Sequence, residues 1–134
     1  MLSRRLFTTC ALCAATGLVA TDVAAQTPGG VKRIILQQSD GPTDGYVTVL
    51  ARAEIAPGAM VMWHTHPGIE TAYVLEGGGT LLRKGAAAAA VAPGDSFQVP
   101  TAMPHALQNG DAVTRIASTY VVEKGKPLAS PAPQ

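Results

Sequence analysis

Between Tyr46 and Ala56 the residues Val47, Val49, Ala51, Ala53 and Ile55 alternate with Thr48, Arg52 and Glu54. That period of two marks a strand with one face buried. Comparable short segments recur along the chain: Val31 to Gln38, Ala59 to His66, Glu70 to Glu76, Thr80 to Arg83, Ala88 to Ala92, Asp95 to Val99, His105 to Gln108 and Val113 to Val122. Turn signals divide them at Ala56-Pro57-Gly58, Pro67-Gly68, Gly77-Gly78-Gly79, Lys84-Gly85, Ala92-Pro93-Gly94 and Asn109-Gly110-Asp111. The alanine run Ala86 to Ala90 has high helix propensity, but so short a piece between turns cannot hold a helix in water. The pattern therefore predicts an all-β protein, an antiparallel barrel or sandwich.

The ends read differently. Ser3-Arg4-Arg5-Leu6-Phe7, the apolar stretch Thr8 to Ala20 and the small-residue site Val23-Ala24-Ala25 have the form of a twin-arginine export signal. Cleavage is expected after Ala25, with delivery to a bacterial periplasm. The apolar run is shorter than the ~20 residues that span a bilayer, so no stable membrane insertion is expected after cleavage. Residues 26–122 form the expected single domain, and 123–134, rich in Lys, Pro and Ala, a flexible C-terminal tail in extended or disordered form.

Removing residues 1–25 changes the chemistry on offer, because both cysteines, Cys10 and Cys13, lie there. Disulfides, thiolate metal sites and cysteine nucleophiles are thereby excluded from the domain. Of the ten Lys and Arg two are lost with that segment, and of the nine Asp and Glu one, so the domain is neutral. Without a basic stripe there is nothing to displace phosphate counterions, which argues against nucleic acid and for a small-molecule ligand.

Three histidines are all the chain has. On an extended strand His64 and His66 point the same way, and Thr65 away. Pro67-Gly68 is expected to break the strand and let Glu70 fold back beside the pair. His105, following Pro100 and Pro104, would come from a distant strand as the barrel closes. A lone core histidine is usually a satisfied structural residue, but three of three joined by a glutamate favour a metal site.

These residues spell Gly58-x5-His64-x-His66-x3-Glu70-x6-Gly77 and then Gly94-x5-Pro100-x4-His105-x3-Asn109. The pattern resembles the two signature motifs of the cupin superfamily, in its small single-domain (type-2-like) form. The resemblance implies a double-stranded β-helix, or jelly roll, with one divalent metal ion held by His64, His66, Glu70 and His105, and a homodimer. One position departs: Ala102 stands where the family usually has glycine, at a turn that asks for positive φ. That substitution is expected to reshape the turn and shift His105 slightly.

Three neutral imidazoles and a carboxylate leave a divalent ion with a net charge of about +1, which suits an anionic or enolisable substrate. Mn, Fe, Co and Ni fit an octahedral site with open positions, and Zn fits with fewer ligands. Parity puts Met60 and Met62 on the face of His64, Ala72 and Val74 after Glu70, and Leu107 after His105, an apolar pocket. Trp63 is expected to face outward. Tyr73, Gln98 and Gln108 are the nearest polar residues, and none has a spacing that identifies a catalytic base. That scarcity favours dioxygenase-like chemistry on a small oxygen-bearing substrate over hydrolysis or decarboxylation, with lyase or isomerase chemistry also compatible. The rival from another class is a non-catalytic periplasmic protein that holds a small ligand or the metal itself. A purely structural module is a third reading.

Overall fold

The computed structural model describes residues 25–27 and 29–134. The expected export segment lies outside these residues except for Ala25. Eleven strands and no helix make up the described chain: β1 Ala25–Thr27, β2 Val31–Asp40, β3 Tyr46–Ile55, β4 Met60–Thr65, β5 Gly68–Glu76, β6 Gly79–Arg83, β7 Ala89–Val91, β8 Ser96–Val99, β9 His105–Asn109, β10 Thr114–Glu123 and β11 Ser130–Pro131. They pair antiparallel in two sheets, one ordered β1-β2-β3-β10-β5-β8 and the other β11-β4-β9-β6-β7. The expected all-β double-stranded helix is the fold observed.

Alternation explains the burial. Along β10 the even residues Thr114, Ile116, Ser118, Tyr120 and Val122 are buried and the odd ones are not. Val47, Val49, Ala51 and Ile55 of β3 and Ala72 and Val74 of β5 supply the inner faces on either side of it. Ile55, Ala72, Val74, Leu81, Leu107 and Ile116 belong to one core cluster, and Val47, Val49, Ala51, Tyr120 and Val122 to a second. Fully burying a side chain such as Val74 or Leu81 contributes about 2 kcal/mol, so the sandwich is held by many such terms.

One expectation about the connections is met and one is corrected. Pro67-Gly68 breaks the strand as expected, for β4 ends at Thr65 and Gly68 opens β5 in the other sheet, where it pairs with Val122. A Cβ there would meet the Val121 carbonyl oxygen at 2.0 Å, so glycine serves close packing against β10 rather than a turn. The C-terminal segment, expected as a flexible tail, does not trail away. Strand β11 pairs with β4 at Thr65 and His64, Ala132 donates its N–H to the Trp63 carbonyl at 3.0 Å, and Leu128 packs against the second core cluster. Its alternation was too short to show as a strand, but the cluster it covers would otherwise face water.

The motif residue Asn109 is architectural. Buried at the end of β9, it donates from Nδ2 to the carbonyls of Ile55, Ala56 and Ala112 and accepts from the Thr114 hydroxyl at 2.6 Å. One amide thus ties the turn after β3 to the turn before β10, satisfying carbonyls that the barrel end would leave buried.

Candidate metal centre

Strands from both sheets bring the centre together. His64 lies on β4 and His105 on β9, paired directly across the second sheet, and His66 follows β4 where the chain crosses over to β5. Ligand nitrogens of the three rings lie within 4.8 Å of one another. Glu70, inward on β5 of the opposite sheet, places Oε2 at 3.1 Å from His66 Nε2 and 3.2 Å from His105 Nε2. All four residues expected at the centre are therefore in one place, although Glu70 touches only two of the three rings.

The partners of the other ring nitrogens fix what these atoms can do. Each Nδ1 faces a backbone carbonyl: His64 that of Met62 at 2.7 Å, His66 that of Leu128 at 2.6 Å, and His105 that of Met103 at 2.9 Å. A carbonyl only accepts, so each Nδ1 carries the proton and a neutral ring is left with a bare Nε2. In two rings that lone pair is aimed at a carboxylate oxygen. Lone pairs opposed at about 3 Å repel unless positive charge lies among them, either as ring protons or as a cation. Carbonyl-oriented imidazoles with converging Nε2 atoms and an adjacent carboxylate are the donor set of a divalent transition-metal site.

Electrostatics agree with a site built for a cation. Burial, reinforced by the neighbouring His105, pushes His64 down to about 4, so it is a neutral donor at physiological pH. Burial alone would raise Glu70, but hydrogen bonds from His105 and His66 outweigh it and hold the carboxyl well below its usual range. Tyr120 donates its hydroxyl to Glu70 Oε1 at 3.0 Å, and burial together with that carboxylate raises the phenol above its ordinary value. Tyr120 is thus a hydrogen-bond donor that keeps its proton.

The walls differ from the parity expectation. Leu107 lines the inner cavity, about 50 Å³, with His64, Glu70, His105, Phe97 and Tyr120. Ala72 and Val74 are buried in the core beneath rather than on its wall. Met60 and Met62 do not face it at all. Val61 pairs with Leu107 and His64 with His105, three steps on β4 against two on β9, so one residue is extra. This bulge reverses the parity: Val61 takes the inward place and Met62 is 63% exposed. Trp63, expected outward, is absent from the inner cavity and lines an outer cleft beside His64.

None of the polar residues singled out from sequence reaches the centre. Tyr73 is 49% exposed, Gln98 donates to the Thr71 hydroxyl and Gln108 to the Gly58 carbonyl. The residues missed are Tyr120, Ser118 and Arg33, all on the inner cavity wall, and the carbonyl of Leu128. Tyr120 and Ser118 were discoverable, being polar residues on the same parity as Ile116 and Val122. The contact of Leu128 with His66, spanning 62 positions, carries no local signal.

The turn at Ala102 takes the positive φ that the motif position asks for. Its φ is 60°, its N–H donates to the His66 carbonyl at 3.0 Å, and the next residue supplies the carbonyl that orients His105.

A two-sheet antiparallel barrel with three convergent histidines and a glutamate defines a double-stranded β-helix protein with a metal-type centre. Residues 51–123 match the family described as the cupin domain, and the chain belongs to that family. None of the curated proteins compared matches the sequence. Among solved structures it is similar to the DMSP lyase DddQ from Ruegeria pomeroyi, at 20% identity and TM-score 0.66 over 76% of this chain and 51% of that one. The polyketide cyclase RemF from Streptomyces resistomycificus is similar at 22% identity and TM-score 0.61, covering 78% and 72%. A cupin-2 domain protein from Rhodospirillum rubrum is similar at 20% identity and TM-score 0.64, covering 84% and 74%. The chain spans about half the length of the DMSP lyases it matches. These likenesses establish the fold.

Proposed function

We propose that this cupin binds one divalent transition-metal ion through His64, His66, His105 and Glu70 and acts there on a small oxygen-bearing molecule. The observation that carries the reading is the set of three imidazoles, each with Nδ1 committed to a carbonyl and Nε2 turned to the same point. Such an ion supplies Lewis acidity and open positions for oxygen donors when bound. The chain's own residues do the rest: Glu70 balances charge, Tyr120 donates a proton to Glu70 in a hydrogen bond and holds it in place, and Val61, Phe97 and Leu107 keep the cavity dry. Mn, Fe, Co or Ni suit this donor set with positions left open, and Zn suits it with fewer ligands.

Dioxygenase-like chemistry is the enzymatic form best supported, because the wall offers no uncommitted base. Glu70 is engaged by His66, His105 and Tyr120, and Tyr120 keeps its proton. The same scarcity favours a second reading, a protein that holds a ligand or the ion without turnover. A lyase and a cyclase built on this fold support small-molecule chemistry in the barrel. Loading the purified protein with Fe or Mn and following oxygen uptake over phenols, diketones and carboxylic acids separates the readings. Turnover supports the enzyme, and tight binding without turnover supports the holder. In the same preparation His105→Ala is expected to lower metal occupancy and melting temperature together, since an ion bound only by the folded state stabilises it. Unchanged occupancy would remove His105 from the ligand set.

A further inference from the structure

Outside the imidazole cluster, the barrel mouth holds a cation with no counter-ion among the described residues. The side chain of Arg33, on β2 of the first sheet, makes no hydrogen bond or ion pair with any other described residue, and its Nε is buried without a partner. Its guanidinium carbon sits 5.9 Å from the centre of the Tyr120 ring. Glu70 shares the inner cavity with Arg33, but the polar groups within bonding distance of its oxygens are those of His66, His105 and Tyr120.

Arg33 belongs to two spaces at once. It lines the inner cavity with Glu70 and Tyr120, and also an outer cleft of about 320 Å³ walled by Val61, Trp63 and Pro131. His64 and Val61 are likewise shared by both, so the cleft leads from the surface to the imidazoles past Arg33. That size suits a small organic molecule. A second unmet donor lines the cleft, since Trp63 Nε1 is also buried without a partner. Buried donors are ordinarily satisfied, and two of them along one apolar cleft call for acceptor oxygens from outside the chain. Arginine's planar fork matches a carboxylate, which takes two parallel N–H bonds.

We propose that Arg33 anchors the carboxylate of a small anionic substrate in the outer cleft, with Trp63 as an auxiliary donor, so that the remainder of the molecule extends toward His64. The placement of that far end rests on the metal reading, whereas the anchor itself does not. Arg33 is a specificity residue, selecting charge and orientation before any chemistry.

The test uses the full chain loaded with cobalt(II), with metal content measured on every sample. Propionate, pyruvate and succinate are titrated calorimetrically against propionamide, pyruvamide and succinamide, with sulfate as a further anion. Wild type is expected to prefer at least one carboxylate over its amide by tenfold or more. Arg33→Met should abolish that preference while leaving amide binding and cobalt content unchanged, and Arg33→Lys should retain part of it. If Arg33→Met fails to fold, Arg33→Lys decides, since a charge kept without the fork should weaken carboxylate binding several-fold. No preference in the wild type, an undiminished preference in both variants, or sulfate bound as tightly as the best carboxylate would overturn the assignment. Cobalt held without carboxylate preference removes the anchor alone, and carboxylate preference without cobalt at any loading removes the metal reading alone.

Discussion

Replacing Ala102 by glycine should stabilise the protein, unlike most substitutions beside a functional centre. Ala102 is the one non-glycine residue with positive φ among the described residues, at 60°. The left-handed region costs an L-residue about 1–2 kcal/mol, because Cβ crowds the following carbonyl oxygen. Glycine escapes that cost but loses about 0.5–1 kcal/mol more backbone entropy on folding. The balance for Ala102→Gly is a gain of about 0.5–1 kcal/mol, a rise in Tm of roughly 2–6 °C for a domain of this size. Urea denaturation of the metal-free protein should show a higher midpoint at unchanged slope, since the surface exposed on unfolding is the same. Metal affinity should hold, because the turn already presents its N–H to His66 and its neighbour's carbonyl to His105 in the required geometry. A midpoint that falls or stays level would refute the reasoning, showing that the turn is not strained in the way its φ implies.

Two further outcomes follow from the centre. His64 is held near 4 against an ordinary 6.5, so a metal-free unfolded chain takes up a proton there that the folded chain refuses. Stability is then fully present above about pH 6.5 and lost as pH falls toward 4, by up to about 3 kcal/mol from this residue. Below its ordinary range Glu70, whose carboxyl is also lowered, adds a loss of the same sign. Thermal melts of the metal-free protein across pH 4–8 check this, and a Tm flat over that window would contradict the burial of His64. Deleting residues 127–134 removes the Leu128 carbonyl that orients His66 and the strand that pairs with His64. Orienting partners of this kind are worth about 10–100-fold in metal affinity, so competition with a chelator should show a loss of that order. Equal affinity in the truncated chain would make the segment a cover only.

Strand order along the chain and the ligand residues were legible because each rests on a local signal that closure does not change. Tyr46–Ile55 and Thr114–Glu123 show their buried faces by simple alternation. The histidines and Glu70 were legible because few polar residues of those types exist in the domain, and their spacing matched a known motif. What was not legible depends on contacts between remote segments. Gly68 reads as a turn after Pro67 until the backbone of Val121 is laid against it. Residues after Glu123 read as a tail until the second core cluster is seen to need Leu128 as its cover. Arg33 carries no signal of its own in the sequence, because the cleft it lines is assembled only when β4 and β11 are brought to it.

The bulge in β4 shows why the ligands could be anticipated and the walls could not. Side-chain parity is an inference about an unbroken strand, and one extra residue inverts it for everything on the far side. The slip lies between Val61 and His64, so the ligand end of the strand stays in register with His105 while Met60 and Met62 are turned out. The same slip sets Val61, not a methionine, against the imidazoles, giving the cavity a short, stiff β-branched wall. It also brings Trp63 to the cleft that Arg33 shares, so the irregularity that defeated the parity reading is what builds the entrance to the site.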